Sequence, residues 1–286
     1  MSRIKDYFSL VKIHHTVFSL PFALIGFFQG YRDNGDTVQI KVLLLVLLCV
    51  FFARNAAMGF NRYVDREFDR HNPRTALREI PRNIISPRSA LWFVILNAIL
   101  FIVAAGFLNL LCLILSPVAL FVVLGYSFTK RFSNLPHIFL GLGLGLAPIG
   151  AYLAVTAQFA MIPVLYSFAV LFWVAGFDII YALQDIDFDQ SQKLRSLPAW
   201  LGKKKSLLLS SLFHLFTVLF ISIAGVMGSY QWLFWAGAGV FTLLIIYQHL
   251  IVSPADLSRV NLAFFTLNGI ASIIFACFVI ADILIF

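Results

Sequence analysis

The sequence predicts an all-α, polytopic membrane protein: nine transmembrane helices around a central cavity, with the N-terminus cytoplasmic and the C-terminus on the opposite side. Three observations predict it. Of the 286 residues 61% are apolar, Phe alone contributing 31, and the mean hydropathy is +0.92; a water-soluble globule of that composition would expose large apolar patches. Only 12% of residues are charged, about half the share of an ordinary soluble domain. The apolar residues form long continuous runs of roughly 20 residues, the length that crosses a hydrocarbon core, without the period-two alternation of an outer-membrane barrel. Disorder, coiled coil and nearly every soluble fold class are excluded by the same composition.

The spans fall at residues 13–31, 42–60, 90–109, 111–129, 137–157, 161–183, 206–226, 231–252 and 261–283. They form a single domain, 1–286, with two pseudo-repeated four-helix halves, 13–129 and 137–252, and a final helix, 261–283. With the N-terminus inside, every Lys and Arg except Arg32 and Lys41 falls on the cytoplasmic side or at its edge, so the net charge of +8 follows the positive-inside rule. A nucleic-acid partner is not expected, because the aromatic residues lie inside the spans rather than on a basic face. The first span lacks a small-residue cleavage site, so no cleavable signal peptide is expected. Cys49, Cys112 and Cys277 lie in apolar runs at no metal-ligand spacing and read as small buried hydrophobes. Gly141, Gly143 and Gly145 sit in mid-membrane with no strand before them, which predicts close helix packing. His14 and His15 read as interfacial, and Lys203, Lys204 and Lys205 as a headgroup anchor.

Topology needs Lys and Arg, but it does not need carboxylates. More than half of the 13 acidic residues fall in two short segments, Asn61–Asp69 and Asp178–Asp189, which close the second and sixth spans. Asn61, Asp65 and Asp69 follow at i, i+4 and i+8, so on a helix they share one face. Asp185 and Asp189 form a second such pair beside Gln184, with Tyr181 and Asp178 one and two turns earlier. Two opposed carboxylate pairs with amide oxygens nearby make a hard, oxygen-only ligand set of the kind that suits Mg²⁺. Asp178, about a turn and a half inside its helix end, is costly in hydrocarbon and points to a polar cavity.

The cations complete the pattern. Arg54 lies two turns deeper than Asn61 on nearly the same face, and Arg62, Arg66, Arg70, Arg74, Arg78 and Arg82 follow at four-residue intervals, interrupted by Pro73. Tyr126 and Lys130 close the fourth span on the same side. The Arg fork and the compact Lys charge suit diphosphate and carboxylate oxygens. One membrane face thus offers metal-binding acids and phosphate-binding bases above helices rich in Phe and Tyr. A diphosphate head with a long isoprenoid tail fits that layout.

These residues resemble the UbiA superfamily of intramembrane prenyltransferases. Its first motif, Asn-Asp-x-x-Asp-x-x-x-Asp, is matched by Asn61, Asp65 and Asp69; its second, Asp-x-x-Tyr-Ala-x-x-Asp-x-x-x-Asp, by Asp178, Tyr181, Ala182, Asp185 and Asp189; its Tyr-x-x-x-Lys pattern by Tyr126 and Lys130. The resemblance implies two Mg²⁺ ions held by Asp65, Asp69, Asp185 and Asp189 with a polyprenyl diphosphate, Asn61 and Asp178 supporting them. It also implies Lys130, Arg70 and Arg74 near the phosphates, Tyr126 near C1 of the allylic chain, and Arg54 and Lys12 near an aromatic acid acceptor. The chain departs from the family pattern where Arg62 replaces an Asp, and where the Arg78 loop carries Glu79 in place of the usual Pro and Asn83 in place of the usual Gly. The segment Asn72-Pro73-Arg74-Thr75-Ala76 is similar to the 4-hydroxybenzoate polyprenyltransferase-like branch.

The chemistry so implied is ionisation of an allylic diphosphate followed by electrophilic substitution on the ring of an aromatic acid, in membrane quinone biosynthesis. The acceptor is of the 4-hydroxybenzoate type or, alternatively, a dihydroxynaphthoate on the way to menaquinone. Tyr126 and Tyr181 are placed to stabilise the allylic cation through their rings, and Asp178 to accept the proton. The expected location is the bacterial cytoplasmic (inner) membrane, with the active site toward the cytoplasm. An ion-coupled transporter is the competing class; it predicts carboxylates near the midplane and interrupted helices.

Overall fold

The computed structural model describes residues 3–11, 18–35 and 39–286, and these are helical with short connections. A short helix, α1 (Arg3–Leu10), precedes α2 (Leu20–Asp33). The chain continues through α3 (Ile40–Val64), α4 (Arg66–His71), α5 (Pro87–Gly106) and α6 (Leu110–Gly125), the last extended by a 3₁₀ turn, Tyr126–Arg131. The second part holds α7 (Pro136–Thr156), α8 (Met161–Ala182), a 3₁₀ turn Leu183–Asp185, α9 (Ile186–Ser191), α10 (Leu197–Met227) and α11 (Trp232–Ile251). A π-helical turn, Leu262–Leu267, leads into α12 (Asn268–Ile285).

Among the described residues eight helices are long and apolar enough to cross a membrane, so the chain is an integral membrane protein. The sequence reading has nine spans. The difference lies in the first, 13–31: residues 12–17 are outside the described residues, and the part that is described is the 14-residue α2. Helix starts follow local chemistry. Ser86 and Asn109 accept the backbone N–H of Ser89 (3.1 Å) and Cys112 (2.9 Å), capping α5 and α6. Pro87, Pro136 and Pro198 occupy first-turn positions where a missing N–H costs nothing. Gly202, at φ +74°, breaks α10 just before the exposed Lys203–Lys205 run.

In a bilayer lipid tails are as apolar as Leu, so close contact rather than burial holds helices together. α8 sits at the centre, packed against α7 and α10. Its Trp173 is fully buried among Phe22, Phe241, Phe275 and Phe177. Two of the three α7 glycines expected to pack closely do so, Gly143 being the exception: a Cβ at Gly141 would run into the Leu171 carbonyl oxygen and one at Gly145 into that of Ser167, as one at Gly26 of α2 would into that of Pro148. Replacing Gly141 with Ala is expected to force α7 from α8 at a cost of about 1–3 kcal/mol, read as a lower unfolding midpoint in detergent. Gly143→Ala, whose Cβ would meet Val123 at an ordinary 3.5 Å, is expected to leave that midpoint unchanged.

At the end of the bundle opposite the acidic motifs, hydrogen bonds tie the helix ends together. Asp33 accepts from Gln29 (2.8 Å) and Tyr152 (2.9 Å), and Arg32 donates to the Gly228 carbonyl (2.7 Å). Asp282 caps α11 through the N–H groups of Gln231 (3.0 Å) and Phe234 (2.9 Å). The π-turn is held by Asn268, which donates to the Ala263 (2.9 Å) and Phe264 (3.1 Å) carbonyls and accepts from Trp173 Nε1 (3.0 Å).

Candidate active site

A cavity of about 930 Å³ opens at the motif end and runs inward between α3, α6 and α7. Asn61, Arg62, Arg74, Arg78, Glu79, Tyr126, Asp178 and Tyr181 line its mouth; Arg54 stands two turns deeper; below it the walls are apolar.

The first motif does not form one continuous helix. α3 ends at Val64, Asp65 is the junction (φ −90°, ψ 4°), and α4 restarts at Arg66. Asn61 and Asp65 still share a face, Asn61 Nδ2 donating to Asp65 Oδ2 at 3.0 Å. α4 stops at His71 because Asn72 precedes a proline and is extended (φ −92°, ψ 117°). Arg74 and Arg78 therefore lie on a loop that folds back over the motif, not on a helical stripe. The second motif breaks similarly, with Asp178 and Tyr181 on α8, Asp185 in the 3₁₀ turn and Asp189 on α9.

Asp65, Asp69, Asp185 and Asp189 each face an Arg or Lys. Asp185 takes a two-pronged contact from Arg74, Nε at 3.0 Å and Nη2 at 2.5 Å, and Arg74 Nη1 donates to Tyr181 OH at 2.7 Å. Asp69 pairs with Arg78 at 2.6 Å, Asp189 with Lys130 at 3.9 Å, and Asp65 with Arg131 at 4.0 Å. Ser196 Oγ donates to Asp189 Oδ2 at 2.8 Å while capping α10. Tyr181 stacks on Phe264 of the π-turn, ring centroids 4.1 Å apart, and lies under the Arg74 guanidinium. Burial pushes the Asp65 carboxyl up to about 6, against the opposing pull of Lys130. Loss of water draws the Arg74 guanidinium down, but its hydrogen bond and ion pair with Asp185 leave it above its ordinary value.

Most of the expected site residues thus come together, with three differences. Arg70 stands apart: it is half exposed and pairs with Glu67 at 3.4 Å, because the six-residue α4 turns it away from the loop carrying Arg74. Lys12 lies outside the described residues, as do His14 and His15. The four carboxylates are not gathered into one ligand set; among the described residues no three His, Cys, Asp or Glu side chains stand close enough to hold a metal ion. Like charges repel, and each acid takes the nearest cation instead. The donors still fit a hard divalent ion: all are oxygens, and Asp69 Oδ2 is buried without a hydrogen bond.

Sequence reasoning missed His137, whose Nδ1 lies 2.6 Å from Asp178 Oδ2. Nothing in the spacing joins residues on different helices, and a single His at the start of an apolar run carries no signal. It also missed the clasping roles of Arg131 and Ser196, and the π-turn with Phe264.

Comparison with known proteins identifies the family and the fold. The model of the UbiA prenyltransferase family matches residues 19–270. A 4-hydroxybenzoate octaprenyltransferase of Francisella tularensis subsp. tularensis (strain WY96-3418) is 27% identical over 282 residues, 99% of this chain and 97% of that one. One from Pasteurella multocida (strain Pm70) is 27% identical over 240 residues, 84% and 82% of the two chains. A UbiA homologue from Aeropyrum pernix K1 superposes with a TM-score of 0.84 at 35% identity, covering 94% of this chain and 98% of that one. A homologue from Archaeoglobus fulgidus bound to GPP and Mg²⁺ shares the fold, with a TM-score of 0.72 at 22% identity over 97% and 99% of the two chains. With its two acidic motifs meeting at the mouth of an intramembrane cavity, this chain belongs to the UbiA prenyltransferase family and is a prenyltransferase.

Proposed function

We propose that this protein transfers a polyprenyl group from a polyprenyl diphosphate to the ring of an aromatic acid of the 4-hydroxybenzoate type, with Mg²⁺, on the cytoplasmic side of the bacterial inner membrane. The observation that carries this is the cluster beside the cavity mouth: four carboxylates, each paired with an Arg or Lys, two of whose partners, Arg74 and Arg78, line a cavity with largely apolar walls. The relatives named as 4-hydroxybenzoate octaprenyltransferases support the acceptor class.

In this reading Arg74, Arg78 and Lys130 exchange their carboxylate partners for diphosphate oxygens, and Asp65, Asp69, Asp185 and Asp189 hold the two divalent ions, with Asn61 steadying Asp65. Lewis-acid charge for the diphosphate would come from Mg²⁺ bound by these carboxylates. Charge set free on the acids by one exchange is taken up by the other, so neither set is left buried and unpaired. Tyr126 presents its ring to the allylic cation, a contact worth on the order of 2 kcal/mol in a dry site; Tyr181, stacked on Phe264 and covered by Arg74, offers its ring once Arg74 has turned to the diphosphate. Arg54, deeper in the wall, receives the carboxylate of the acceptor, and Asp178 receives the ring proton. A transporter would place its acids midway through the bundle; here they stand at one end.

A second reading, a dihydroxynaphthoate acceptor, is favoured by Glu79. It is 8% exposed, lines the cavity and accepts from Ser9 Oγ at 2.5 Å, adding an acceptor that a second ring hydroxyl would use. Labelled polyprenyl diphosphate offered with 4-hydroxybenzoate and a dihydroxynaphthoate side by side decides between them. Glu79→Gln is expected to lower transfer to a dihydroxy acceptor by about tenfold and to leave 4-hydroxybenzoate within about twofold. Absence of transfer to any phenolic acid, with ion flux in liposomes, overturns the enzyme reading.

A further inference from the structure

Substitution on an aromatic ring leaves one task that the phosphate-binding cluster does not perform. The ring carbon that has taken the prenyl group still holds its hydrogen, and in an apolar cavity that proton needs a base. The four motif carboxylates are each within 4.0 Å of an Arg or Lys. Asp178 differs: among the described residues its ion-pair partner is His137.

The pair is built in two layers. Asp178 lines the cavity with 20% of its side chain exposed, and His137 stands behind it on α7, 1% exposed. His137 Nδ1 lies 2.6 Å from Asp178 Oδ2, while Nε2 is buried with no hydrogen-bond partner. A hydrogen on Nε2 would be a buried donor with nothing to receive it, whereas a hydrogen on Nδ1 has the carboxylate. Hydrogen-bond accounting therefore places the proton on Nδ1, donated to Oδ2, and leaves the second carboxylate oxygen for the substrate. Tyr126, Tyr181 and Gln184 line the same mouth. None of them offers a carboxylate, and Glu79, the other carboxylate lining the cavity, accepts from Ser9 Oγ.

We propose that His137 is the positioning residue for a cavity base, Asp178, fixing the direction of its carboxylate toward the acceptor ring. The inference rests on the prenyl-transfer reading. In the step concerned the C1–O bond of the prenyl diphosphate breaks and its electron pair leaves with the diphosphate. Ring π electrons form the new C–C bond to C1. The C–H bond at that ring carbon then breaks, its electrons restore aromaticity, and its proton passes to Asp178.

The test uses full-length enzyme in detergent with Mg²⁺, a polyprenyl diphosphate and 4-hydroxybenzoate carrying deuterium at the ring carbons beside the hydroxyl. His137→Leu is expected to lower kcat about tenfold, to leave the KM of both substrates unchanged, and to show a larger deuterium isotope effect on kcat than wild type. His137→Asn, which retains an N–H donor, is expected to recover most of kcat and the wild-type isotope effect. Asp178→Asn is expected to lose about 10² in kcat. An isotope effect in His137→Leu equal to wild type, whatever its rate, overturns the proposal. If His137→Leu does not fold, Asp178→Glu, which moves the carboxylate relative to Nδ1, takes its place, and an unchanged isotope effect there is equally fatal. Failure of wild type to transfer label to any phenolic acid strikes the prenyl-transfer reading itself.

Discussion

Asp185→Asn is expected to lower the rate of prenyl transfer by about 10³ while leaving the chain folded. Asp185 is buried in the 3₁₀ turn after α8 and is the carboxylate most firmly held, by two nitrogens of Arg74 and, at 3.4 Å, by Asn72 Nδ2. Removing its charge acts twice. The proposed divalent-ion site would lose a negative ligand, and the Arg74 guanidinium loses its carboxylate partner. A single preorganised electrostatic contact is worth about 10²–10³ in turnover, so losing both places the effect at the upper end. Asp187, two residues on, is exposed, and Asp187→Asn is the matched control, expected to stay within about twofold of wild type. Turnover at saturating diphosphate across a Mg²⁺ titration reads both. An Asp185→Asn enzyme within threefold of wild type would remove the acidic cluster from the chemistry.

Ala53→Phe is expected to separate short from long prenyl donors. Ala53 lines the cavity on α3, eight residues before Asn61, which at 1.5 Å per residue puts it roughly 12 Å below the mouth. A dimethylallyl group ends well short of that depth, whereas the tail of a geranylgeranyl or longer donor must pass it. A ring inserted there is expected to lower kcat/KM for long donors by about 10², the cost of displacing the reacting carbon by an ångström or so, and to leave dimethylallyl diphosphate within about threefold. Ala119→Phe, from the α6 wall, is expected to do the same independently. Equal losses for both donor lengths would mean that the tail does not run down this cavity.

Much of the architecture was legible because in a membrane the relevant code is run length. The spans from 42–60 onward fall on helices of the structure, and the glycine positions predicted to pack closely do so at Gly141 and Gly145. The acids were legible for a different reason: a carboxylate in or beside hydrocarbon is costly unless something uses it, so their positions stand out in the sequence. Pairing was not legible. Arg74 clasps Asp185 across 111 residues and His137 meets Asp178 across 41, contacts that no periodicity encodes. The four-residue Arg spacing was misleading in one respect. Read as a single stripe it includes Arg70, but the breaks at Asp65 and at Asn72-Pro73 put Arg70 on a separate short helix, where it pairs with Glu67. The π-turn at Leu262–Leu267 depends on Asn268 meeting two carbonyls and on Trp173 holding Asn268 from another helix, a tertiary arrangement with no local signature.

The central claim is that the paired acids and bases at the cavity mouth drive formation of a carbon–carbon bond on an aromatic ring. It is tested most directly by the structure of the product formed by purified enzyme from geranylgeranyl diphosphate, an aromatic acid and Mg²⁺, determined by nuclear magnetic resonance. The expected product carries the prenyl chain on the ring carbon next to the hydroxyl, forms only with the divalent ion, and is lost in Asp185→Asn. A prenyl ether on the oxygen, or a product that forms equally well without Mg²⁺, would contradict it.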